Sequence, residues 1–127
     1  MPAAAWTEQD LTEIERNDEL SVAPRRADGT LTKPRVVWAV RVGDEVYIRS
    51  VRGASGAWYR TTRASHQGHV NIGAVDSDVA FDDVEHDPAF EDRIDAAYRS
   101  KYRRYTGPVT TITGDEARAT TLRLSPR

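Results

Sequence analysis

The stretch Arg35–Val51, RVVWAVRVGDEVYIRSV, decides the fold of this chain. Its two halves, residues 35–42 and 45–51, are dominated by β-branched and aromatic side chains, which favour extended strands. Gly43-Asp44 separates them and is typical of a tight turn. The sequence therefore predicts an antiparallel hairpin, with the side chains of its first strand alternating between two faces. One face is expected to carry Val36, Trp38, Val40 and Val42, and the other Arg35, Val37, Ala39 and Arg41.

The segments around this hairpin predict a small antiparallel barrel or half-barrel. Further strands are expected near residues 20–27, 68–74, 79–84 and 117–124, with Asp76-Ser77-Asp78 as one of the turns. Helices are predicted at Thr7–Leu20, over one or two turns from Trp58 to Ser65, and from Pro88 toward Tyr105, stopping at Gly107-Pro108. Consecutive strands joined by short turns pair antiparallel, and closing such a sheet protects its edges. The expected fold class is mainly β (α+β), with six strands, flanking helices and one domain spanning residues 1–127.

The composition is that of a globular protein without cysteine chemistry. Hydrophobic residues make up 39% of the 127 residues and charged residues 30%, and there is no cysteine. Disulfides, thiolate metal sites and cysteine nucleophiles are therefore excluded. No run approaches about 18 apolar residues, the length needed to cross a bilayer. The start Met1–Trp6 lacks the features of a signal peptide, so we expect a cytoplasmic protein that makes no use of a membrane.

Charge is distributed unevenly along the chain. The net charge is -2, yet residues 25–63 hold nine arginines and lysines against three acidic residues, whereas residues 76–95 are acidic. A basic middle between acidic flanks indicates a local anion site. It argues against nucleic acid as a partner, because nucleic-acid-binding domains more often carry a basic balance throughout.

The segment that follows the hairpin has the chemistry of a phosphate site. Between Ile48 and Arg60 it offers three arginines, two serines and two glycines. Glycines let backbone N–H groups approach a ligand closely, and arginines bind oxyanions through paired donors. Trp58 and Tyr59 follow at once and could provide an apolar wall for a flat ring. The alternative is a solvated turn whose arginines face water.

Three other clusters favour ordinary structural roles. The basic, aromatic stretch Arg99–Tyr105 could stack on RNA bases, but a helix with inward tyrosines and C-terminal cations explains it better. His66 and His69 have no third ligand at a recognisable spacing, and the acidic residues 76–87 lack the pattern of a calcium loop, so no metal site is predicted. No nucleophile elbow, Walker loop or dinucleotide fingerprint occurs, and no catalytic residue can be assigned.

Several motifs nevertheless resemble a known group of proteins. Lys33-Pro34-Arg35 enters the first strand of the hairpin, and a Ser50–Gly53 loop precedes Trp58-Tyr59. This order resembles the split β-barrel proteins that bind flavin or deazaflavin, the pyridoxamine-phosphate oxidase-like and deazaflavin-dependent nitroreductase-like group. Within that group the chain is most similar to an uncharacterised bacterial family (DUF2255-like). The likeness rests on residues 52–60, 94–102 and 116–124 and extends over roughly residues 6 to 125.

The resemblance implies a six-stranded split barrel, commonly a homodimer, that binds FMN or a deazaflavin as a small-molecule cofactor. Arg52 stands where the deazaflavin group usually has a lysine. By position, the implied cofactor-binding residues are Arg35, Val37, Arg49, Ser50, Val51, Arg52, Gly53, Trp58 and Tyr59. In such proteins the cofactor carries the hydride, so no acid–base pair is required. The implied function is an oxidoreductase-like one, and the alternative is a non-enzymatic protein that binds a cofactor or phosphorylated metabolite.

Overall fold

The computed structural model describes residues 5–127, so Met1–Ala4, on which the expectation of no signal peptide partly rests, lie outside the described residues. The strands are β1 (Leu20–Pro24), β2 (Arg35–Val37), β3 (Ala39–Val42), β4 (Glu45–Ile48), β5 (Gln67–Ile72), β6 (Val75–Asp83) and β7 (Leu122–Pro126). The helices are α1 (Glu8–Arg16), α2 (Ala57–Ser65), α3 (Pro88–Lys101), α4 (Thr106–Ile112) and α5 (Asp115–Arg118), with a short 3-10 turn at Gly53–Ser55. Within residues 5–127 we find no helix with both the length and the apolar character needed to span a bilayer.

All seven strands belong to one antiparallel sheet in the order β2-β1-β5-β6-β7-β4-β3. The two edge strands, β2 and β3, are consecutive in the chain and are separated by Trp38 alone. Because one residue cannot bridge the width of a flat seven-stranded sheet, the sheet must curl until its edges nearly meet. The predicted mainly β barrel with flanking helices is confirmed. It has seven strands instead of six, because the expected strand 35–42 is broken at Trp38.

The second half of that broken strand is buried on both faces. Val37 and Ala39 point into the barrel interior, where they join a core that β1 and β4–β7 line. Trp38 and Val40 point outward into a second apolar cluster that α3 and α4 cover. The two faces therefore separate as the alternation predicts, with one exception. Val36 is 59% exposed, because β2 has no helix packed over it at that position.

Helix α1 closes one end of the barrel. Thr7 and Asp10 form a capping box that begins it, and Leu11 and Ile14 lie in the barrel core. The Trp6 indole N–H donates to the Leu124 carbonyl across 2.8 Å, which fixes the chain entering the helix to the last strand. The helix ends at Arg16 instead of Leu20, since Leu20 is the first residue of β1.

The last residues of α3 tie the outer cluster to the barrel. The Tyr98 hydroxyl donates to the Trp38 carbonyl across 2.8 Å, and the Tyr102 ring stacks on Trp38 with 4.0 Å between centroids. Lys101 Nζ donates to the carbonyls of Ile14 and Ala39, each at 2.7 Å, and burial lowers the pKa of Lys101 to about 8. Tyr98, Lys101 and Tyr102 thus face the protein, as the structural interpretation of this basic helix expects.

Several other boundaries differ from the sequence-based expectation: β1 ends at Pro24 instead of residue 27, and β4 ends at Ile48 instead of Val51. Helix α3 ends at Lys101, and Gly107-Pro108 lies in the first turn of α4, where proline is tolerated. The β5–β6 turn falls at Gly73-Ala74, so residues 76–78 are strand. Gly73 has a φ of +55°, the left-handed conformation that a tight hairpin turn requires. Residues 117–121 end α5 and lead into β7, which begins at Leu122.

Replacing Trp38 should therefore weaken the barrel closure. For Trp38→Ala we expect a loss of about 2–4 kcal/mol in the free energy of unfolding, since the indole packs on the outer cluster and stacks on its Tyr102 ring. Chemical denaturation measures this loss. Val36→Ala is the neighbouring control and should change stability by less than about 0.5 kcal/mol. Equal effects of the two substitutions would contradict the role assigned to Trp38.

Candidate functional site

A cavity of about 390 Å³ opens where the β2–β3 junction faces the loop after β4 and the start of α2. We call it the primary cavity. It is lined by Arg35, Val36, Val37, Trp38, Arg49, Ser50, Val51, Arg52, Gly56, Ala57 and Trp58. Seven of the nine residues that the sequence singles out lie in this lining: Arg35, Val37, Arg49, Ser50, Val51, Arg52 and Trp58. Gly53 and Tyr59 do not line it.

The primary cavity is cationic. Its lining contains no aspartate or glutamate, although the chain has 20 acidic residues. The guanidinium groups of Arg35 and Arg52 make no salt bridge or hydrogen bond with any of residues 5–127, and both side chains are exposed. Unpaired cations beside an enclosed space with no carboxylate produce a positive potential there. The cavity therefore favours anions.

The loop Ser50–Gly56 presents backbone and hydroxyl donors beside these arginines. It is held by hydrogen bonds from the Ser50 N–H to Thr120 Oγ1 (2.8 Å) and from the Gly53 N–H to the Ser50 carbonyl (3.0 Å). Gly53 has a φ of +62° and packs against Glu116, so this glycine shapes the loop instead of touching a ligand. Ser50 Oγ forms no hydrogen bond within the described part of the chain, and Ser50 lines the cavity. Its hydroxyl is therefore free to donate.

The N-terminus of α2 completes this side of the cavity. Its cap residue is Gly56, and no side chain among residues 5–127 caps the helix. The first amides of a helix have no partner inside it and carry partial positive charge, which stabilises an anion placed near them. Gly56 permits this arrangement, because a Cβ there would collide with Ser50 Oγ.

Trp58 and Tyr59 have different positions. Trp58 lines the primary cavity, whereas the Tyr59 ring lies under the Arg63 guanidinium at 4.9 Å. Both rings also pack against the barrel core. Residues 58 and 59 are adjacent on a helix, so their side chains leave it in different directions, and only Trp58 can form the apolar wall predicted for this pair.

Arg49 occupies the predicted place but points elsewhere. It is 1% exposed, and its Nη1 donates to Asp95 Oδ1 (2.5 Å) and to the Ile112 carbonyl (3.1 Å). Its Nη2 contacts the Glu91 carboxylate at 3.0 Å, and its Nε donates to Thr121 Oγ1 at 2.9 Å. With a further contact to the Glu91 carbonyl, every guanidinium nitrogen is engaged inside the protein. Arg49, one of the implied cofactor-binding residues, therefore lines the cavity while its guanidinium is directed toward α3.

Arg49 instead centres an ion cluster, which consists of Arg49, Glu91, Asp95, Arg118 and Thr121. The two carboxylates are nearly fully buried on α3, and Arg118 lies 3.5 Å from Asp95 through its Nε. Such groups are stable in a protein interior only when charges are compensated and hydrogen bonds are made. The cluster fastens the end of β4 to α3 and to the segment before β7, and so it fixes where Ser50 lies.

The histidines lie away from the primary cavity. His66 caps the C-terminus of α2 with a φ of +56°. His69 on β5 contacts the facing strand, with Nδ1 2.8 Å from Asp78 and Nε2 against Asp76. Hydrogen bonds to Asp78 and then to Asp76 raise the pKa of His69, and the bond to His69 lowers the pKa of Asp78. Across residues 5–127 no group of three or more candidate metal ligands comes together.

Sequence reasoning missed four residues of the cavity lining: Val36, Trp38, Gly56 and Ala57. Gly56 and Ala57 were foreseeable, because they precede the predicted helix and helix starts bind anions. Trp38 was not, since its position depends on the strand break that brings the two edges of the barrel together. The place of the exposed Val36 in the cavity lining depends on the same strand break.

The fold defined by these elements is the split β-barrel. Similar structures include HutZ, a heme storage protein from Vibrio cholerae, at 12% identity with a TM-score of 0.64, covering 94% of this chain and 89% of that one. An F420 reductase matches at 14% identity and a TM-score of 0.56, covering 96% and 94%. A Listeria innocua protein provisionally assigned as a pyridoxamine 5'-phosphate oxidase matches at 12% identity and 0.56, covering 94% and 90%.

These identities establish likeness of fold. No curated protein matches the chain in sequence. The chain itself belongs to the family described as "Uncharacterized protein conserved in bacteria (DUF2255)", whose model matches residues 10–124. The predicted membership of the split-barrel group and of this bacterial family is therefore confirmed.

Removing Arg49 should destabilise the fold strongly. Arg49→Met leaves two buried carboxylates with less compensation, so we expect a loss of about 3–5 kcal/mol in the free energy of unfolding. Arg49→Lys keeps the charge but not the planar set of donors, and its loss should be smaller. Denaturant titrations of the two variants, beside the exposed control Arg60→Met, measure these effects. If Arg49→Met unfolds like the control, the ion cluster has no structural role.

The His69–Asp78 contact should make stability depend on pH. A raised pKa of His69 in the folded state gives stabilisation that is complete below the ordinary value of 6.5 and is lost as the pH rises through the folded pKa. The lowered pKa of Asp78 gives stabilisation that is complete above 3.8 and is lost as the pH falls through its folded pKa. The stability difference between the native protein and His69→Asn should therefore be largest between these two pH values and should shrink above them. Unfolding measured from roughly pH 4 to pH 9 tests this, and a constant difference would refute it.

Proposed function

We propose that the primary cavity binds the phosphate and ring of FMN or a deazaflavin, and that the protein acts as an oxidoreductase with this cofactor. The observation that carries the proposal is the combination of two unpaired arginines, uncapped helix amides and an indole around one cavity that has no carboxylate in its lining. Without an anionic, partly aromatic ligand, the arginines and the helix amides would have no counter-charge in the cavity, and the indole would have no ring to pack against there.

The donors present fit a phosphate. Arg35, Arg52 and Ser50 line the cavity together with Gly56 and Ala57 at the start of α2. Charge-assisted hydrogen bonds from guanidinium to phosphate are among the strongest available to a protein, and backbone amides add directional donors. In this proposal Arg49 holds the loop in place and does not touch the ligand.

The apolar lining fits a flat ring. Val37 and Trp38 come from the junction of β2 and β3, and Trp58 comes from α2. Ligand pockets typically combine such an apolar wall with a few well-placed polar groups. A flavin or deazaflavin, when bound, supplies hydride transfer, and the residues around it contribute position and electrostatics. The lining contains no obvious general acid or base, which agrees with that division of labour.

The comparisons support a cofactor as the ligand. The printed names of the similar structures include a heme storage protein, an F420 reductase and a protein provisionally assigned to pyridoxamine 5'-phosphate oxidation. Each name refers to a prosthetic group or a phosphorylated ring compound. We infer that the barrel of this chain also binds a cofactor. We further propose that the protein acts in the cytoplasm.

A second copy of the chain would complete the site. Val36 and Val51 line the primary cavity yet are 59% and 54% exposed. Apolar groups exposed around one cavity are typical of a surface that another molecule covers. We infer that a homodimer covers this rim.

A non-enzymatic binding protein is the second candidate. The lining that lacks an acid or base suits sequestration of a cofactor or phosphorylated metabolite as well as it suits hydride transfer. Oxidation of a nicotinamide reductant by the protein loaded with cofactor would favour the enzyme. Tight binding without turnover would favour the binding protein.

Removal of either free arginine should weaken cofactor binding. For Arg52→Ala and Arg35→Ala we expect the Kd for FMN or the deazaflavin to rise by about tenfold or more, since each loses a charge-assisted contact of about 1.5–3 kcal/mol. Fluorescence titration and calorimetry measure the Kd, and the absorbance spectrum of freshly purified protein shows whether a cofactor is retained.

Arg60→Ala is the matched control, because Arg60 lies on α2 with an exposed, unbonded side chain outside the cavity lining. Its Kd should stay within about twofold of the native value. Absence of binding at high micromolar cofactor would refute the proposal, as would equal losses for Arg60→Ala and Arg52→Ala.

A further inference from the structure

A second recess of about 320 Å³ adjoins the primary cavity. It shares the side chains of Arg35, Ala57 and Trp58 with that cavity and extends beyond them. Its remaining lining is Arg26, Thr32, Lys33 and Thr61. We call it the adjoining recess. Arg35 therefore stands between two openings and faces both.

The adjoining recess is also cationic and has no carboxylate in its lining. Lys33 and Arg35 form no salt bridge or hydrogen bond through their charged groups within residues 5–127. Arg26 donates only to neutral oxygens, Thr30 Oγ1 at 3.2 Å and the Leu31 carbonyl at 3.1 Å. Asp28, in the same turn, accepts two bonds from Thr30 and lies outside the recess lining. Hydrogen bonds from Thr30 and the nearby charge of Arg26 lower the pKa of Asp28. Three cations thus border the recess, and none of them forms a salt bridge within residues 5–127.

The turn that carries two of these cations is held firmly. The N–H of Arg26 donates to the Thr30 carbonyl at 2.7 Å, and the N–H of Thr32 donates to the Pro24 carbonyl at 2.9 Å. Arg25 and Leu31 form an additional bridge across it. Cations on a braced turn are positioned before a ligand arrives, which reduces the entropy lost on binding.

We propose that the ligand of the primary cavity carries a second anionic group beyond its first phosphate, and that Arg26, Lys33 and Arg35 bind this group in the adjoining recess. The inference rests on the proposed function of the primary cavity. The shared chemistry is a phosphorylated ring compound extended by further negative charge, either a second phosphate or the carboxylates of a tail.

A ligand with one phosphate would leave this second set of cations unexplained. In the proposed function, Ser50, Arg52 and the α2 amides already hold the first phosphate in the primary cavity. Clustered like charges repel one another and destabilise the folded state unless a counter-charge is bound. The wall shared through Arg35 and Trp58 lets a single extended molecule reach both openings.

The experiment compares three probes on the same protein: FMN with one phosphate, FAD with a diphosphate, and F420 with a tail that carries carboxylates. Binding is measured by fluorescence titration and calorimetry for the native protein, Lys33→Ala and Arg60→Ala. Lys33 is exposed and its ammonium is unbonded within residues 5–127, so its removal should leave the fold intact. Arg60→Ala removes one charge from the same region outside both linings.

We expect FAD, F420 or both to bind more tightly than FMN. Lys33→Ala should raise the Kd of the tighter ligand by about tenfold, equivalent to about 1.4 kcal/mol, and leave the Kd of FMN within about twofold. Selective loss with FAD identifies a diphosphate, and selective loss with F420 identifies carboxylates. Raised salt should weaken the extended ligand more than FMN, since more charges are screened.

Two other outcomes would overturn the inference, and they differ from each other. If FMN binds and depends on Arg52, while Lys33→Ala affects no probe more than Arg60→Ala does, the second site is refuted and the proposed function survives. If none of the three probes binds at high micromolar concentration, the proposed function fails and the second site fails with it.

Discussion

The whole structure depends on a geometric constraint at Trp38. Strands β2 and β3 occupy opposite edges of the sheet and yet are neighbours in the chain, so the sheet has to close around its core. Closure places the apolar faces of seven strands inward, where α1 covers one end. The same closure leaves the outer faces of β3 and β4 to be buried by α3 and α4. Stacking of Trp38 on Tyr102 fixes the point where the strand changes edge to the outer core.

The closed barrel also determines which charged side chains are buried in ion pairs and which remain at the primary cavity. Two adjacent residues that follow β4, Arg49 and Ser50, have different surroundings. Arg49 turns outward into the ion cluster on α3, whereas Ser50 remains at the primary cavity. A buried guanidinium needs compensating carboxylates, and α3 supplies Glu91 and Asp95 for it. Arg49, which the sequence places next to the candidate phosphate loop, therefore has a structural role.

Two of the arginines that form no salt bridge within residues 5–127 lie at the primary cavity. Arg35 and Arg52 border the primary cavity, and Arg35 also borders the adjoining recess. A protein with a net charge of -2 has enough carboxylates to pair every arginine. The concentration of unpaired cations, uncapped amides and an indole in one region is the physical basis for assigning an anionic cofactor to it.

A large part of this arrangement was predictable from local patterns. The hairpin, the antiparallel barrel and the outline of α3 follow from alternation and turn residues, and the glycine-rich loop with its arginines indicates an anion site. The set of nine residues, seven of which line the primary cavity, was implied by the resemblance to the split-barrel group. Helix ends, turn positions and the β2–β3 break were less accessible, since each depends on which segment packs against which. The β5–β6 turn illustrates this: two glycine- or aspartate-rich positions compete, and strand pairing selects Gly73-Ala74.

The sequence by itself determined which chemical groups lie together along the chain: the strand-forming valines, the loop with its arginines and glycines, and the tyrosines on one side of a helix. Only the tertiary structure decided the direction of each side chain and the partner that it meets. Arg49 and Arg52 are three residues apart in one loop, yet one is buried against carboxylates and the other is free. The reason is that the pairing of a charge depends on residues 42 to 72 positions away, and no local pattern records such distant contacts.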